Sequence, residues 1–267
     1  MSNKVFGFIG CGNMGSALAT AARQVLPGEC ILLANRTPGK ARALAEKLGA
    51  QVVENAAAAE RSDFLFLGVK PQMMADMLEG IRDALVGRER PCVLVTMAAG
   101  LTIRTIRDMA GVDFPVLRIM PNTPAAIGRG MILCCADGVS GEDIEAFKSI
   151  MSGAGVLDFI DEHLIDAGSA VSGSGPAFAD LMIEALADGG VACGLPRKQA
   201  QEMAAQMLLG SAALCLESGK HPGVLKDAVC SPGGTTIQGV RVLEERGFRA
   251  AVMDAVIAAY EKNFNLK

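Results

Sequence analysis

KVFGFIGCGNMGSALA, residues 4–19, decides how the chain is read. An apolar run ending at Ile9 has the composition of a buried strand, and Ser16 onward has that of a helix. Between them Gly10, Gly12 and Gly15 form a G-x-G-x-x-G turn. The first glycine permits the sharp reversal, the second lets backbone approach a pyrophosphate, and the third lets the helix pack closely. Unpaired N–H groups at the helix start then favour phosphate charge. Alone the pattern is weak; placed between a strand and a helix it has the context of a dinucleotide-binding turn.

Outward from this turn the first 160 residues alternate apolar runs with helical patterns. Strands are expected at 5–9, 30–34, 51–53, 64–67, 92–96, 116–120, 131–134 and 156–160. Helices are expected at about 16–25, 40–48, 73–84, 102–109 and 141–151. Such alternation predicts a mostly parallel α/β sheet with helices on both faces. After residue 160 only helical patterns follow, at 163–171, 176–193, 197–218, 223–229, 235–245 and 249–263. The predicted division is therefore 1–160 for the nucleotide-binding domain and 161–267 for an all-helical one.

The chain has 267 residues, half of them hydrophobic, with 25 basic and 29 acidic residues mixed along it. No basic block points to nucleic acid or to an anionic membrane, and no apolar run is long enough to span a bilayer. MSNKVFGFIG enters a strand without a signal-peptide pattern, which predicts a cytoplasmic protein. Eight cysteines fall in no C-x-x-C pair, so neither a bound metal nor a disulfide framework is expected. The segment 197–218 is unusual, because Met203, Met207, Leu208, Leu209, Leu214 and Leu216 leave no substantial polar stripe. A helix apolar all round must be surrounded by protein. A helical domain this small does so most readily with a second subunit, the alternative being the centre of a monomeric bundle.

The second expected strand ends in ANRT. Asn35 stands where a carboxylate would hold the ribose diol of NAD, and Arg36 and Thr37 add a planar cation and a hydroxyl. These suit a 2′-phosphate, favouring NADPH with NADH as the lesser partner. Ligands of such sheets lie beyond the carboxyl ends of the strands, so Val69, Lys70 and Pro71 should border the cofactor. Ala98–Gly100 leaves room for a ring, and the amide of Asn122 is placed to reach a nicotinamide or a substrate.

No general acid presents itself. His163 and His221 read as helix-start and turn residues; Asp180, Glu184 and Asp188 read as a solvated helical stripe. Hydride addition to a carbonyl asks for such an acid, whereas an imine can arrive already protonated and asks mainly to be held. CSPGGTTIQ, residues 230–238, offers the seat. Pro232, Gly233 and Gly234 bring N–H groups to a helix start, and Thr235 and Thr236 add hydroxyls for a small carboxylate substrate.

In order, GCGNMG, ANRT, VKP, MPNTP, SGSGPA and LKDAVCSPGGTT closely resemble the pyrroline-5-carboxylate reductase family over residues 5 to about 260. The resemblance implies reduction of L-1-pyrroline-5-carboxylate to L-proline by NAD(P)H, the last step of proline biosynthesis. It implies a Rossmann domain, an interleaving helical dimerisation domain, and dimers that assemble further into rings. Carried over, cofactor contacts fall on Cys11, Gly12, Asn13, Met14, Asn35, Arg36, Asn55, Val69, Lys70, Pro71 and Ala99. Substrate contacts fall on Val229, Ser231, Gly234, Thr235 and Thr236, with Thr236 near the ring nitrogen as the catalytic residue. Some members carry a glutamate two residues before the turn's HPG; Gly219 occupies that position here, so no carboxylate contact is transferred. The competing readings are a reductase like the β-hydroxyacid dehydrogenases, whose lysine motif is missing here, and an NADP-binding sensor without catalysis.

Overall fold

A computed structural model of the chain describes residues 4–264, so the expected domain limits at residues 1 and 267, like the first three residues, lie outside it. Eight strands form one sheet: β1 (Phe6–Ile9), β2 (Ile31–Ala34), β3 (Gln51–Val52), β4 (Phe64–Leu67), β5 (Val93–Thr96), β6 (Val116–Met120), β7 (Gly130–Asp137) and β8 (Gly155–Phe159). Their order is β3-β2-β1-β4-β5-β6-β7-β8. The first six run parallel, β7 pairs antiparallel with β6, and β8 runs parallel to β7. This is the doubly wound order of dinucleotide-binding sheets with two strands added at one edge.

Helices α1 (Asn13–Ala22), α2 (Pro38–Leu48), α3 (Asn55–Arg61), α4 (Met74–Glu79), α5 (Arg82–Val86), α6 (Ile103–Ala110) and α7 (Gly141–Met151) interleave with the strands. They are followed by α8 (Ile165–Ser172), α9 (Gly175–Ala192), α10 (Arg197–Ser218), α11 (Pro222–Ala228), α12 (Thr235–Glu245) and α13 (Phe248–Phe264).

Side-chain alternation decides what each face of the sheet buries. In β1 and β4, Phe6 is in register with Phe64 and Phe8 with Phe66, so four phenylalanines share one face. The rings of Phe8 and Phe66 stack with centroids 4.3 Å apart, and Phe147 of α7 covers the group. Aromatic pairs of this kind add about 0.5–1.5 kcal/mol each beyond the area they bury. On the other face, Leu65, Leu67 and Leu94 pack with Leu78 of α4, Leu85 of α5 and Ile106 of α6.

Two helix expectations are corrected, and one helix is added. The first helix starts at Asn13, directly on the glycine turn, and ends at Ala22, rather than covering 16–25. The helix expected at 73–84 is two, interrupted between Glu79 and Arg82, where Ile81 leaves helical geometry. Helix α3 was not anticipated, since NAAAAER follows a strand pattern without apolar periodicity.

The chain divides into two compact units: residues 1–174 together with 259–267, and residues 175–258. The second unit contains α9 to α12 and most of α13. In it the hairpin of α9 and α10 closes on small residues. Ala187, Ala200 and Ala204 are buried, and a Cβ at Gly190 would meet Ala200 at 3.3 Å. The large side chains are left outside; Leu209 is 59% exposed and Leu216 84%.

Candidate active site

At the carboxyl edge of β1 the chain reverses at Gly10, whose φ of +110° is open only to glycine. A Cβ there would lie 2.4 Å from the carbonyl oxygen of Gly68, and one at Gly15 would lie 2.1 Å from that of Gly10. The turn is thus pressed between the end of β4 and the first turn of α1. Gly12 is different. It has ordinary φ, and a Cβ there would meet nothing within 4 Å. Its open side faces the start of α1, which has no side-chain cap and no acidic residue in its first turn. An uncapped helix start beside a bare glycine is the cradle a pyrophosphate requires.

A cleft of about 640 Å³ opens along this edge. Gly10 and Gly12 border it from the first turn; Asn35, Arg36 and Thr37 from the end of β2; Asn55 from the start of α3; Val69 and Lys70 from the end of β4. The fold thus brings residues far apart in the sequence to one cleft. An adjoining cleft of about 560 Å³ holds Cys11 and Asn13 and shares Gly12. Of the remaining expected residues, Met14 packs half-buried against the aromatic face, and Pro71 opens a short 3-10 turn after β4. Ala99 packs with Met120, Leu133 and Ile165 near the ends of β5 and β6.

Lys40 borders both clefts and was not singled out. The signal was Pro38: proline at a first helical position puts Lys40 inside the first turn of α2, where the expected start at residue 40 had hidden it.

Two amides have structural duties. Asn35 Oδ1 accepts from the Cys11 N–H at 2.9 Å, and its Nδ2 donates to the Thr37 carbonyl at 2.9 Å, so it ties the glycine turn to the ANRT loop. Asn122, expected to reach a ligand, is instead engaged at both ends of its amide. Its Nδ2 donates to the Ser172 carbonyl at 2.9 Å and its Oδ1 accepts from the Met131 N–H at 3.0 Å. Burial pushes the Cys11 thiol up to about 11, so this group beside the turn stays protonated and apolar in character.

In the second unit, CSPGGTT forms the turn the sequence suggested. Gly233 has φ +71°, the Gly234 N–H donates to the Ser231 carbonyl at 3.0 Å, and Gly234 stands at the N-cap of α12. That helix has no side-chain cap and no acidic residue in its first turn, which carries Thr235 and Thr236, both exposed. Val229 and Ser231 are exposed on the same turn. His221 is a cap: its Nδ1 accepts from the Gly223 N–H at 3.0 Å. Asp180, Glu184 and Asp188 are exposed along α9, and Asp188 pairs with Arg197.

A doubly wound sheet, a glycine turn against an uncapped helix and a cation-bearing cleft define a dinucleotide-binding oxidoreductase of the Rossmann type. A family model described as pyrroline-5-carboxylate reductase dimerisation matches residues 162–266, and one described as NADP oxidoreductase, coenzyme F420-dependent, matches residues 5–100. The pyrroline-5-carboxylate reductase of Escherichia coli is 43% identical, covering 98% of each chain. The chain belongs to the pyrroline-5-carboxylate reductase family. Among solved structures, that of the Coxiella burnetii enzyme aligns with a TM-score of 0.91 at 30% identity, covering 100% of this chain and 99% of the other. The Plasmodium falciparum pyrroline carboxylate reductase with NADP bound aligns with a TM-score of 0.87 at 31% identity, covering 99% and 98%. No described helix is long and apolar enough to cross a membrane.

Proposed function

We propose that this chain reduces L-1-pyrroline-5-carboxylate to L-proline with NADPH, or less favourably NADH, and that its two glycine turns share the work. The observation that carries the reading is the Pro-Gly-Gly turn opening α12. It offers a bare helix start and two exposed threonine hydroxyls within the matched dimerisation family. When bound, the reduced nicotinamide supplies the hydride. Its pyrophosphate would be held by the N–H groups that begin α1, its 2′-phosphate by Arg36 and Thr37, and its nicotinamide end by Val69, Lys70, Pro71 and Ala99.

The substrate's carboxylate would be held by the N–H groups of Ser231 and Thr235 beside Gly234, with Val229 against its ring. Thr236 would orient the ring nitrogen. The substrate is a cyclic imine, so its protonated nitrogen already draws electrons from the carbon that accepts the hydride. One C–H bond forms, the C=N π pair becomes the amine lone pair, and the nitrogen keeps its proton. The residues therefore orient and stabilise more than they move protons.

We further propose a division at about residue 160, with 161–267 binding substrate and pairing two subunits, dimers assembling into a ring, and a cytoplasmic location. Mixing the protein with NADPH and pyrroline-5-carboxylate and following the loss of nicotinamide absorbance tests the activity. Turnover with a hydroxyacid instead, or cofactor binding without any turnover, would replace the reading with one of its rivals.

A further inference from the structure

Arg118 lies in β6, beside Thr96 of β5 and Cys135 of β7. It is 2% exposed. Its Nη1 donates to Glu162 Oε1 at 3.2 Å and its Nη2 to Asp166 Oδ1 at 2.9 Å. Its Nε is buried and has no partner among the described residues. Such a group is a poor source of net stability. Apolar side chains of similar volume commonly do as well or better in place of a buried ion cluster. The orphan N–H adds an uncompensated desolvation cost.

What the cluster does achieve is a junction. Glu162 Oε1 also accepts from the N–H of Ile103 at 2.7 Å. Ile103 is the first residue of α6, four positions after Ala99, so the β5–α6 loop is tethered where it ends. Asp166 sits in the first turn of α8. The opposite end of α8 is held by the Asn122 amide through the Ser172 carbonyl. Two side chains four residues apart, Arg118 in β6 and Asn122 just beyond it, thus hold α8 at both ends. The seat is tight: a Cβ at Gly168 would come 2.5 Å from Leu133 Cδ1. Ile165, Met120, Leu133 and Ala99 pack there as one cluster.

We infer that Arg118 is a positioning residue for hydride transfer, holding the loop that bears Ala99 and the loop after β6 at a fixed spacing through Glu162, Asp166 and α8. The inference rests on the reading of Ala99 as a neighbour of the nicotinamide. Arg118 touches neither cofactor nor substrate; it fixes the wall against which the ring would lie. A shift of an ångström in such a wall can cost about 100-fold in rate while leaving most binding contacts intact.

The test compares wild type with the charge-free variant Arg118→Met/Glu162→Gln/Asp166→Asn, in which the glutamine can still accept from Ile103. Measurements are NADPH affinity from its fluorescence enhancement, kcat and KM for pyrroline-5-carboxylate, and the isotope effect with NADPH deuterated at the transferred position. A folded variant is expected to bind NADPH within about twofold of wild type, to lose about 100-fold in kcat, and to show a larger isotope effect as hydride transfer becomes limiting. Wild-type kcat with an unchanged isotope effect would overturn the inference, as would a loss confined to NADPH affinity.

Should that variant not fold, Arg118→Lys decides. It keeps the charge but cannot fork between two carboxylates, and about a tenfold loss in kcat at unchanged NADPH affinity is expected. Wild-type kcat, or a lysine variant that also fails to fold, would assign the cluster to fold maintenance alone. Absence of turnover by the wild-type protein in the same assay would instead strike the proposed activity, so the two failures are distinguishable.

Discussion

Gly10 and Gly12 stand two positions apart and need to be glycine for separable reasons. Gly10 combines φ +110° with a neighbour 2.4 Å from any added Cβ, so Gly10→Ala strains the backbone and pushes β1 from β4. A drop of at least about 2 kcal/mol in unfolding free energy is expected, read from denaturant titration. Gly12 has normal dihedrals and open space, so Gly12→Ala should unfold like wild type yet lose most NADPH affinity, because the methyl occupies the pyrophosphate's approach. Equal stability losses in both variants would refute the distinction. Arg36 reads charge instead of shape. Arg36→Ala should weaken NADPH by about 10- to 100-fold, the worth of a charge-assisted hydrogen bond, and leave NADH nearly unchanged. Parallel losses for both cofactors would remove Arg36 from the 2′-phosphate. Thr236→Ala should lower kcat by about tenfold or more with NADPH affinity intact, since one hydrogen bond to a charged nitrogen is lost. Steady-state kinetics that match wild type would deny Thr236 its place.

Among the elements, Lys4, just before β1, donates to Asp143 in the first turn of α7 at 2.9 Å, joining the start of an interior strand to a covering helix. Ser140 caps that helix and donates to the same carboxylate at 2.8 Å. Burial alone would push the Asp143 carboxyl up; the bonds from Lys4 and Ser140 outweigh it and hold the group below the usual carboxylate range. A carboxyl lowered on folding contributes stability above its unfolded value, and that contribution disappears as pH falls through the folded value. Asp143→Asn should therefore cost about 0.2–1 kcal/mol at neutral pH and converge with wild type in acid, as pH falls through the lowered folded value of the carboxyl. Melting curves of both proteins across that range check this; a gap that widens in acid would reverse the sign. The same elements explain what could be read in advance. All eight strands were legible, β1, β2 and β4 most plainly, because buried parallel strands are continuous apolar runs such as FLFL and a helix face cannot imitate that brevity. Helix α3 was not legible, for seven residues rich in alanine carry too little contrast to show a period. The cleft was legible where backbone chemistry demands particular residues, at GCGNMG and ANRT, and the turn that opens α12 was legible at PGGTT for the same reason. The structural duty of Asn122 was not legible, because an amide that binds ligand and one that binds Ser172 and Met131 look alike until the helix it holds is in place.

At the scale of the molecule, the second unit cannot be explained as a body that ends at its own surface. Its hairpin closes on Ala187, Ala200 and Ala204, side chains too small to form much of a core, while Leu181, Leu209, Leu214, Leu216 and Met253 are each more than half exposed. Alanine seams let helices approach closely, and that closeness turns the bulky faces outward. Exposed apolar area at about 25 cal/mol per Å² favours association, and the matched dimerisation family names a second copy as the cover. The thermal midpoint of wild type should therefore rise with protein concentration, as it does when folding and association are linked. Leu209→Asp places a charge on such a face, where burial without a partner costs several kcal/mol. Dissociation should strengthen by at least about 100-fold, and the concentration dependence should fade. Light scattering behind a sizing column gives the mass of each species, and circular dichroism shows whether the variant's helices survive. A Leu209→Asp protein that keeps the wild-type mass and midpoint at every concentration would place the subunit contact elsewhere, and the outward leucines would need another cover.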